Sequence, residues 1–215
     1  MYLTWFGHSC FKLQDKIGSE GVTVVVDPYG VESGLKMPKI EADILAITHK
    51  HVDHSNREAI KGTPFIIDTP GEYEVKGVSV EGVEVPHDDK GGSERGKVIA
   101  YRINIDDVVV VHLGDLGAPL DPKQLEVLSG ADILLIPVGG KYTIDAKKAV
   151  EVVSQIEPRI IVPMHYKIPG LKYDLDGVDK FVKEIGLKPR QEEKLKISKK
   201  ELPQEDMELV ILNNS

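Results

Sequence analysis

Residues 48–55 read Thr-His-Lys-His-Val-Asp-His-Ser and constrain this chain more than any other segment. They hold three of its seven histidines, His49, His51 and His54, together with Asp53. In extended backbone, His49 and His51 point to the same side and can grip one ion, while Asp53 and His54 follow in the turn and can face a second. Crowded imidazoles would repel one another and titrate unless a metal held them. The segment therefore predicts a metal site after a strand, with ligands that suit Zn²⁺.

A helix is predicted immediately after this cluster. Ser55 and Glu58 have the Ser-x-x-Glu spacing of a capping box. The positive end of the helix dipole would then lie beside the site, where it favours bound anions or hydroxide.

Elsewhere the pattern alternates strands with helices, which indicates a layered α/β protein. Apolar or β-branched runs predict strands over residues 22–26, 43–48, 64–68, 78–85, 97–105, 108–111, 132–137, 160–163 and 208–212. Helical spacing or composition predicts helices over 121–128, 145–156 and 178–185. The charged, mixed-sign stretch 188–206 is interpreted as a solvated hairpin or edge segment, not a binding tail.

Length and composition bound the architecture. A chain of 215 residues is long enough for one sizeable core, so a single domain spanning residues 1–215 is expected. Apolar residues make up 41% and charged residues 29%, as in an ordinary globular protein. The net charge of −8 repels phosphate backbones, which disfavours non-specific nucleic-acid binding but leaves room for a local basic pocket.

The chain shows no targeting or membrane signal. No apolar run reaches the roughly 18 residues that cross a bilayer. The N-terminal residues lack the basic region and cleavage site of a signal peptide, so a cytoplasmic protein is expected. The single cysteine, Cys10, excludes an internal disulfide and a cysteine-based zinc finger, and we expect it to be a buried small residue.

The pattern strand–His-x-His-x-Asp-His–helix resembles the metallo-β-lactamase superfamily, and the resemblance covers nearly the whole chain. It implies five motif positions, most of them at or just past a predicted strand end, where α/β folds place their sites: Asp27, residues 49–54, His87, Asp115 and His165. Four short stretches resemble the compact UlaG-like branch of small hydrolases: residues 5–10, 69–73, 137–140 and 163–166.

This resemblance implies a four-layer αββα sandwich with two Zn²⁺ ions along one edge, which Mn²⁺ or Fe²⁺ could replace. The implied ligands of the first ion are His49, His51 and His87. Those of the second are Asp53, His54 and His165, with Asp115 bridging the two. Asp53 and Asp115 are expected to take part in catalysis, and Asp27 to orient a ligand.

Other positions admit more than one role. The order of motifs favours His87 over His112 as the third-motif ligand. His112 is a further catalytic candidate that could contact a ligand or substrate, or it is a satisfied core histidine. His8 either lies near the site mouth or makes a structural hydrogen bond. Tyr142 and Thr143 are candidates to line the pocket, with Thr143 alternatively an N-cap.

The expected function is dinuclear hydrolysis of a small-molecule lactone, ester or phosphoester, with β-lactam hydrolysis as a promiscuous activity. Zinc lowers the pKa of bound water to about 7, so a bridging hydroxide would attack the carbonyl or phosphoryl centre. The alternatives are a phosphodiesterase or nuclease, a di-iron redox protein, and a non-catalytic metal-stabilised scaffold. The redox alternative is disfavoured because that branch typically has Glu at the position of His51. The scaffold alternative is disfavoured because the set of implied metal ligands is complete. The oligomeric state is left open.

Overall fold

The computed structural model describes residues 1–215 as sixteen β-strands, three α-helices and three short 3₁₀ turns. The strands are β1 Tyr2–Trp5, β2 Phe11–Ile17, β3 Glu20–Val26, β4 Ile40–Glu41, β5 Ile44–Ala46, β6 Ile60–Lys61, β7 Phe65–Ile67, β8 Gly71–Val75, β9 Val78–Pro86, β10 Lys97–Ile105, β11 Val108–His112, β12 Ile133–Pro137, β13 Ile160–Met164, β14 Pro189–Glu192, β15 Leu195–Lys196 and β16 Glu208–Leu212. The helices are α1 Pro122–Leu128, α2 Ala146–Ile156 and α3 Val178–Ile185.

The strands form two large mixed sheets and one small pair. The six-stranded sheet has the order β15-β1-β2-β3-β5-β7, antiparallel from β15 to β3 and parallel from β3 to β7. The eight-stranded sheet has the order β14-β16-β13-β12-β11-β10-β9-β8, parallel from β14 to β11 and antiparallel from β11 to β8. Strands β4 and β6 pair separately.

The alternation of side chains along the strands joins the two large sheets. In β3, Val24 and Val26 enter a core cluster of 53 buried residues drawn from both sheets. Val25, between them, points the other way into a cluster of eight buried residues. Because successive strand residues face opposite sides, the larger cluster fills the space between the sheets and continues under the helices, and the smaller one lies on the outer face of the six-stranded sheet. The predicted α/β sandwich is confirmed.

The two outer layers are built differently. Helix α1 packs on β9 and β10, α2 packs on β12, and α3 packs on α2, so the α-helices cover the eight-stranded sheet. The six-stranded sheet is covered by loop residues and the β4–β6 pair, including Tyr29, Ile40 and Ala42. The fourth layer is therefore made of loops, 3₁₀ turns and a short strand pair. None of the three helices has the length and apolar character needed to cross a bilayer.

The helix predicted after residue 54 is wrong. The chain forms only the 3₁₀ turn Arg57–Ala59 there, with no side-chain cap. The Ser55 hydroxyl instead donates to the carbonyl of His51, at 2.9 Å. A single 3₁₀ turn carries no appreciable macrodipole, so the expected helix terminus beside the site is absent.

Residues 188–206 form edge segments of the sheets, which is one of the two predicted alternatives. The hairpin alternative is wrong, because β14 borders the eight-stranded sheet and β15 borders the six-stranded sheet. This charged stretch therefore finishes both sheets on the same side of the molecule.

Candidate metal centre

The motif positions meet at one edge of the sandwich, beyond the ends of strands from both sheets. Asp27 follows β3 and residues 49–54 follow β5, while His87, Asp115 and His165 follow β9, β11 and β13. Strand ends suit such sites because the strands are fixed by the core while the residues after them are free to turn toward one another.

Three residues of this edge have a backbone conformation that is uncommon for residues other than glycine. The φ angles of His8, Asp27 and His165 are 52°, 49° and 52°. Positive φ in a side-chain-bearing residue is strained, and such strain concentrates at functional sites. The His165 amide also donates to the carbonyl of His8, at 3.0 Å, which ties the N-terminal turn to the end of β13.

Four imidazoles surround one carboxylate oxygen. The Nε2 atoms of His54, His165, His87 and His49 lie 3.3, 3.4, 3.7 and 3.8 Å from Asp115 Oδ2. Asp115 is buried, with 3% of its surface exposed. These residues come from four separate segments, so the convergence is a product of the tertiary fold.

Three groups of side chains have ligand atoms within 4.8 Å of one another: one joins Asp27 to His49 and His54, and the other two contain only histidines. The first histidine group is His49, His51 and His87, with His49 Nε2 and His51 Nδ1 2.9 Å apart. The second histidine group is His8, His54 and His165. The structure therefore brings His8, for which the sequence left two roles open, into the cluster.

His8 lies against Asp53. Its ring is fully buried, and its Nε2–H donates to Asp53 Oδ2 at 3.1 Å. Asp53 Oδ2 in turn lies 3.8 Å from His54 Nε2. Burial and the neighbouring His165 lower the pKa of His8 to about 4, so the ring is neutral at pH 7. Of the two roles considered for His8, the structure therefore favours the one at the site, where His8 positions the Asp53 carboxylate.

Asp27 orients His54 from beneath the cluster. His54 Nδ1–H donates to Asp27 Oδ2 at 2.8 Å, and the amide and hydroxyl of Thr48 donate to the same carboxylate at 2.8 and 2.7 Å. All three residues are buried. With Nδ1 committed to Asp27, His54 presents Nε2 to the cluster, as expected of a residue that orients a ligand.

The electrostatics of the cluster favour a positive charge at its centre. Burial opposes ionisation of Asp115, yet His165 and His54 hold its pKa well below the usual value. Burial disfavours protonation of His54, yet Asp115 and Asp27 raise its pKa well above the usual value. Burial and His54 lower the pKa of His49 to about 3. The site therefore combines ionised carboxylates, a neutral His49 and a His54 that favours a proton, and a bound metal ion would take the place of that proton.

Two glycines allow the segments to approach. A Cβ on Gly139 would lie 2.1 Å from the carbonyl oxygen of His165. A Cβ on Gly117 would lie 2.2 Å from the amide nitrogen of Asp88, beside His87. Both contacts are with backbone, which cannot move aside as a side-chain tip could. These glycines bring the loops after β11 and β12 into contact with two of the histidine segments.

His112 is set apart from the cluster. Its Nε2–H donates to the carbonyl of Ser9 at 2.9 Å, and its Nδ1 accepts from the amide of Gly114 at 3.1 Å. The ring is fully buried. With both nitrogens committed, the contacts favour the core-histidine alternative and argue against a catalytic role for His112.

The remaining sequence candidates have ordinary positions. Cys10 is buried, as expected, and burial raises the pKa of its thiol well above the usual value. The N-cap of α2 is Asp145, whose side chain accepts from the Lys148 amide, so the N-cap alternative for Thr143 is wrong. Tyr142 lines the cavity beside the cluster, whereas Thr143 lines a neighbouring cleft.

A cavity of about 480 Å³ opens beside the cluster. Its lining comprises Lys50, His51, Val52, Asp53, His87, Arg95, Asp115, Tyr142, His165 and Tyr173. Sequence reasoning did not single out Lys50, Val52, Arg95 or Tyr173. Lys50 and Val52 lie within the 49–54 motif, between its histidines and Asp53, whereas Arg95 and Tyr173 lie on loops that only the fold brings to the cavity mouth.

Comparison with known proteins places this site in a family. The family model described as the beta-lactamase superfamily domain matches residues 2–165. A UPF0173 metal-dependent hydrolase of Methanoculleus marisnigri is 32% identical over 200 residues, covering 82% of this chain and 86% of that protein. Another from Methanopyrus kandleri is 28% identical over 220 residues, covering 87% and 94%.

A solved structure agrees. The crystal structure of a candidate Zn-dependent hydrolase of the metallo-β-lactamase superfamily from Thermotoga maritima has a TM-score of 0.79 and 34% identity, covering 98% of this chain and 97% of the other. The fold and the histidine-rich edge thus define a metallohydrolase-type sandwich. The chain belongs to the metallo-β-lactamase superfamily and, within it, to the UPF0173 metal-dependent hydrolases.

Proposed function

We propose that residues 1–215 form one hydrolase domain that holds two divalent metal ions, with zinc preferred, and cleaves a small lactone, ester or phosphoester. One observation carries the proposal. Four imidazole nitrogens from three segments lie within 3.8 Å of a single oxygen of buried Asp115, which comes from a fourth.

The side chains fit metal ions. His54 Nε2 and Asp115 Oδ1 are buried without a hydrogen-bond partner. An unpaired buried polar group costs about 1–3 kcal/mol, and coordination to a cation would remove that cost. Imidazole nitrogen and carboxylate oxygen suit zinc, manganese and iron.

In this proposal His49, His51 and His87 would hold one ion, and Asp53, His54 and His165 would hold the other. The Asp115 carboxylate, whose Oδ2 lies within 3.8 Å of imidazoles from both sets, would serve both ions. Asp27 and His8 do not need to bind an ion, because their contacts orient His54 and Asp53.

Bound divalent ions supply a nucleophile from water near neutral pH and polarise the oxygen of the electrophile. The chain supplies the positioning. Asp27 binds Nδ1 of His54, so that His54 Nε2 faces the cluster, and His8 holds the carboxylate of Asp53. The cavity lining contains no Ser, Thr or Cys. No side chain there can therefore form an acyl intermediate of the serine or cysteine type, which agrees with direct attack by water.

The cavity volume supports a small substrate, since pockets of about 300–1,000 Å³ take small molecules. Lactones and esters are the first class to test, followed by β-lactams. Phosphodiester hydrolysis, di-iron redox chemistry and a non-catalytic scaffold remain the alternatives that the experiment must separate.

The test is a metal count together with a hydrolysis assay. Protein purified without chelator or nickel resin is loaded with zinc, and metal per chain is measured by mass spectrometry. Asp115→Asn is compared with Asp107→Asn, a control in the exposed turn at the opposite end of β11. Asn tolerates the positive φ of 62° at that turn.

We expect two equivalents of zinc in the native protein and in Asp107→Asn, and at most one in Asp115→Asn. In Asp115→Asn, lactone and ester hydrolysis should fall more than about 100-fold. Loss of a residue that only orients a metal ligand typically costs about 10- to 100-fold, so a larger loss is expected for a ligand itself. Failure to take up zinc, manganese or iron would overturn the proposal. Two equivalents of iron with redox activity and no hydrolysis would favour the di-iron alternative. Bound metal without any turnover would favour the scaffold. Turnover of phosphodiesters alone would favour the phosphodiesterase.

A further inference from the structure

Two cations, Lys50 and Arg95, line the cavity beside the cluster. Most arginines of the chain are paired with carboxylates: Arg57 with Asp68, Arg159 with Asp132, and Arg190 with Glu192 and Glu208. Arg95 makes no ion pair and no side-chain hydrogen bond. A guanidinium fork is therefore left open at the cavity mouth of an acidic protein.

Cations on the neighbouring loops are neutralised. Lys90 pairs with Glu94, Lys141 with Asp174 and Lys148 with Asp89. Glu94 precedes Arg95 in the chain, yet its carboxylate bonds to Lys90 rather than to the guanidinium. The acids of these loops are thus already paired, and Arg95 has no carboxylate partner among them.

Arg95 is held in place from both ends. The Asp88 carboxylate accepts hydrogen bonds from the amides of Lys90, Gly92, Glu94 and Arg95, at 2.8–3.0 Å, which fixes the loop. The guanidinium lies over the ring of Tyr142, 4.9 Å from its centroid. Stacking on an aromatic face restrains the side chain but leaves its N–H groups free to donate.

We infer that the substrate carries an oxyanion, a carboxylate or a phosphate group, away from the bond that is cleaved, and that Arg95 binds it. This inference rests on the proposed hydrolase function and narrows its substrate class. A planar guanidinium matches the two oxygens of a carboxylate or phosphate, which gives geometric selectivity as well as charge. Lys50 adds a second positive charge on the rim, and the two cations offset locally the repulsion of an anion by a chain of net charge −8.

The test compares Arg95→Gln with Arg102→Gln in the zinc-loaded protein. Arg102 is the other arginine without an ion pair, and it lines a different cleft with Glu72, Glu74 and Glu81. Hydrolysis of neutral 4-nitrophenyl acetate is measured beside hydrolysis of anionic mono-4-nitrophenyl succinate. For Arg95→Gln we expect KM for the succinate ester to rise about 10- to 100-fold, as loss of a charge-assisted contact predicts. Kinetics with the neutral ester, and both substrates with Arg102→Gln, should be unchanged.

Tyr142→Ala provides an intermediate case, because it removes the support and keeps the charge. KM for the succinate ester should rise about 2- to 5-fold in this variant, as expected for loss of a cation–π contact. An equal rise for the neutral ester in Arg95→Gln would overturn the inference, because it would show general damage to the site.

Calorimetry separates this inference from the hydrolase proposal. Binding of methyl phosphate and of acetate to the zinc-loaded protein is measured without turnover. A loss of affinity in Arg95→Gln that Arg102→Gln does not share supports the oxyanion site even if no ester is hydrolysed. Loss for methyl phosphate alone identifies a phosphate, and loss for acetate alone a carboxylate. Equal affinities in the native protein and Arg95→Gln for both probes would overturn it.

Discussion

The floor and the rim of the cavity are built in opposite ways. The floor is made of buried residues at strand ends, such as Asp27, His54, Asp115 and His165, joined by hydrogen bonds and short contacts. The rim is made of exposed residues on loops, such as Lys50, Arg95 and Tyr142. The contacts among rim side chains are aromatic: Arg95 lies over Tyr142, and Tyr142 meets Tyr173 edge to face.

The difference separates chemistry from selectivity. A floor tied to five strand ends cannot shift without disturbing the core, so it suits the common chemistry of a family. A rim on loops can change residue by residue without that cost, so it suits the choice of substrate. Substitutions in the floor should therefore affect all substrates, and substitutions in the rim only some.

Among substitutions outside the proposed metal ligands, the largest effect is expected for Asp27→Asn. The carboxylate accepts from His54 and twice from Thr48, and an amide would point one donor at another. We expect a loss of about 1–3 kcal/mol in the free energy of unfolding. Turnover of every substrate should fall about 10- to 100-fold.

Urea unfolding, zinc content and assays of both esters check this prediction, with Asp107→Asn as the matched control. If Asp27→Asn kept two equivalents of zinc and normal turnover, the floor would not depend on the orientation of His54.

A second substitution reaches the floor through the backbone. In Gly139→Ala the new Cβ would meet the His165 carbonyl oxygen at 2.1 Å and Tyr166 Cα at 3.1 Å, so the two segments must separate. We expect about 1–3 kcal/mol of destabilisation and lower turnover of neutral and anionic esters alike.

Thermal unfolding and assays of the neutral and the anionic ester test this prediction. Gly21→Ala is the control, because its new Cβ would meet nothing within 4 Å. An effect confined to the anionic ester would contradict the division between floor and rim.

The smallest and most selective effect is expected for Asp88→Asn. This side chain accepts four backbone amides and shapes the loop that carries Arg95, with the Arg95 and other amides holding its pKa at about 2. An amide oxygen can satisfy only part of that set, so the loop should loosen. We expect KM for the anionic ester to rise about 2- to 10-fold, by loss of hydrogen bonds to a charged group.

Amide hydrogen exchange of residues 88–96 should rise in the same variant, while exchange in β11 and β13 stays unchanged. Equal changes for both esters would instead assign Asp88 to the floor.

Much of the fold was readable from local pattern. The ranges predicted for β3, β9, β10, β11, β12, β13 and the three helices match the structure to within two residues at each end. Each of these elements carries a long apolar or alternating run whose burial decides its structure. β1 and β2 were missed, although Leu3 and Trp5, and Phe11 and Leu13, alternate with more exposed residues. Their runs are short and mixed with polar residues, so pairing across the sheet decides them.

The capping-box prediction failed for a related reason. Ser55 has the residue type that begins a helix, but its hydroxyl is used by the carbonyl of His51. The chain must then reach β6, whose partner β4 lies twenty residues earlier. A tertiary pairing thus overrode a local signal.

The sequence by itself determined the kinds of residue at the site and their places after strands, because metal binding needs imidazoles and carboxylates at spacings that one turn can bring together. The tertiary structure alone decided that His8 holds Asp53, that His112 is committed to Ser9 and Gly114, and that Arg95 stands open at the rim. The first two are contacts between segments distant in the chain, and the third is the absence of an ion-pair partner for Arg95. No local spacing specifies them, because they depend on how two sheets and their loops pack in space.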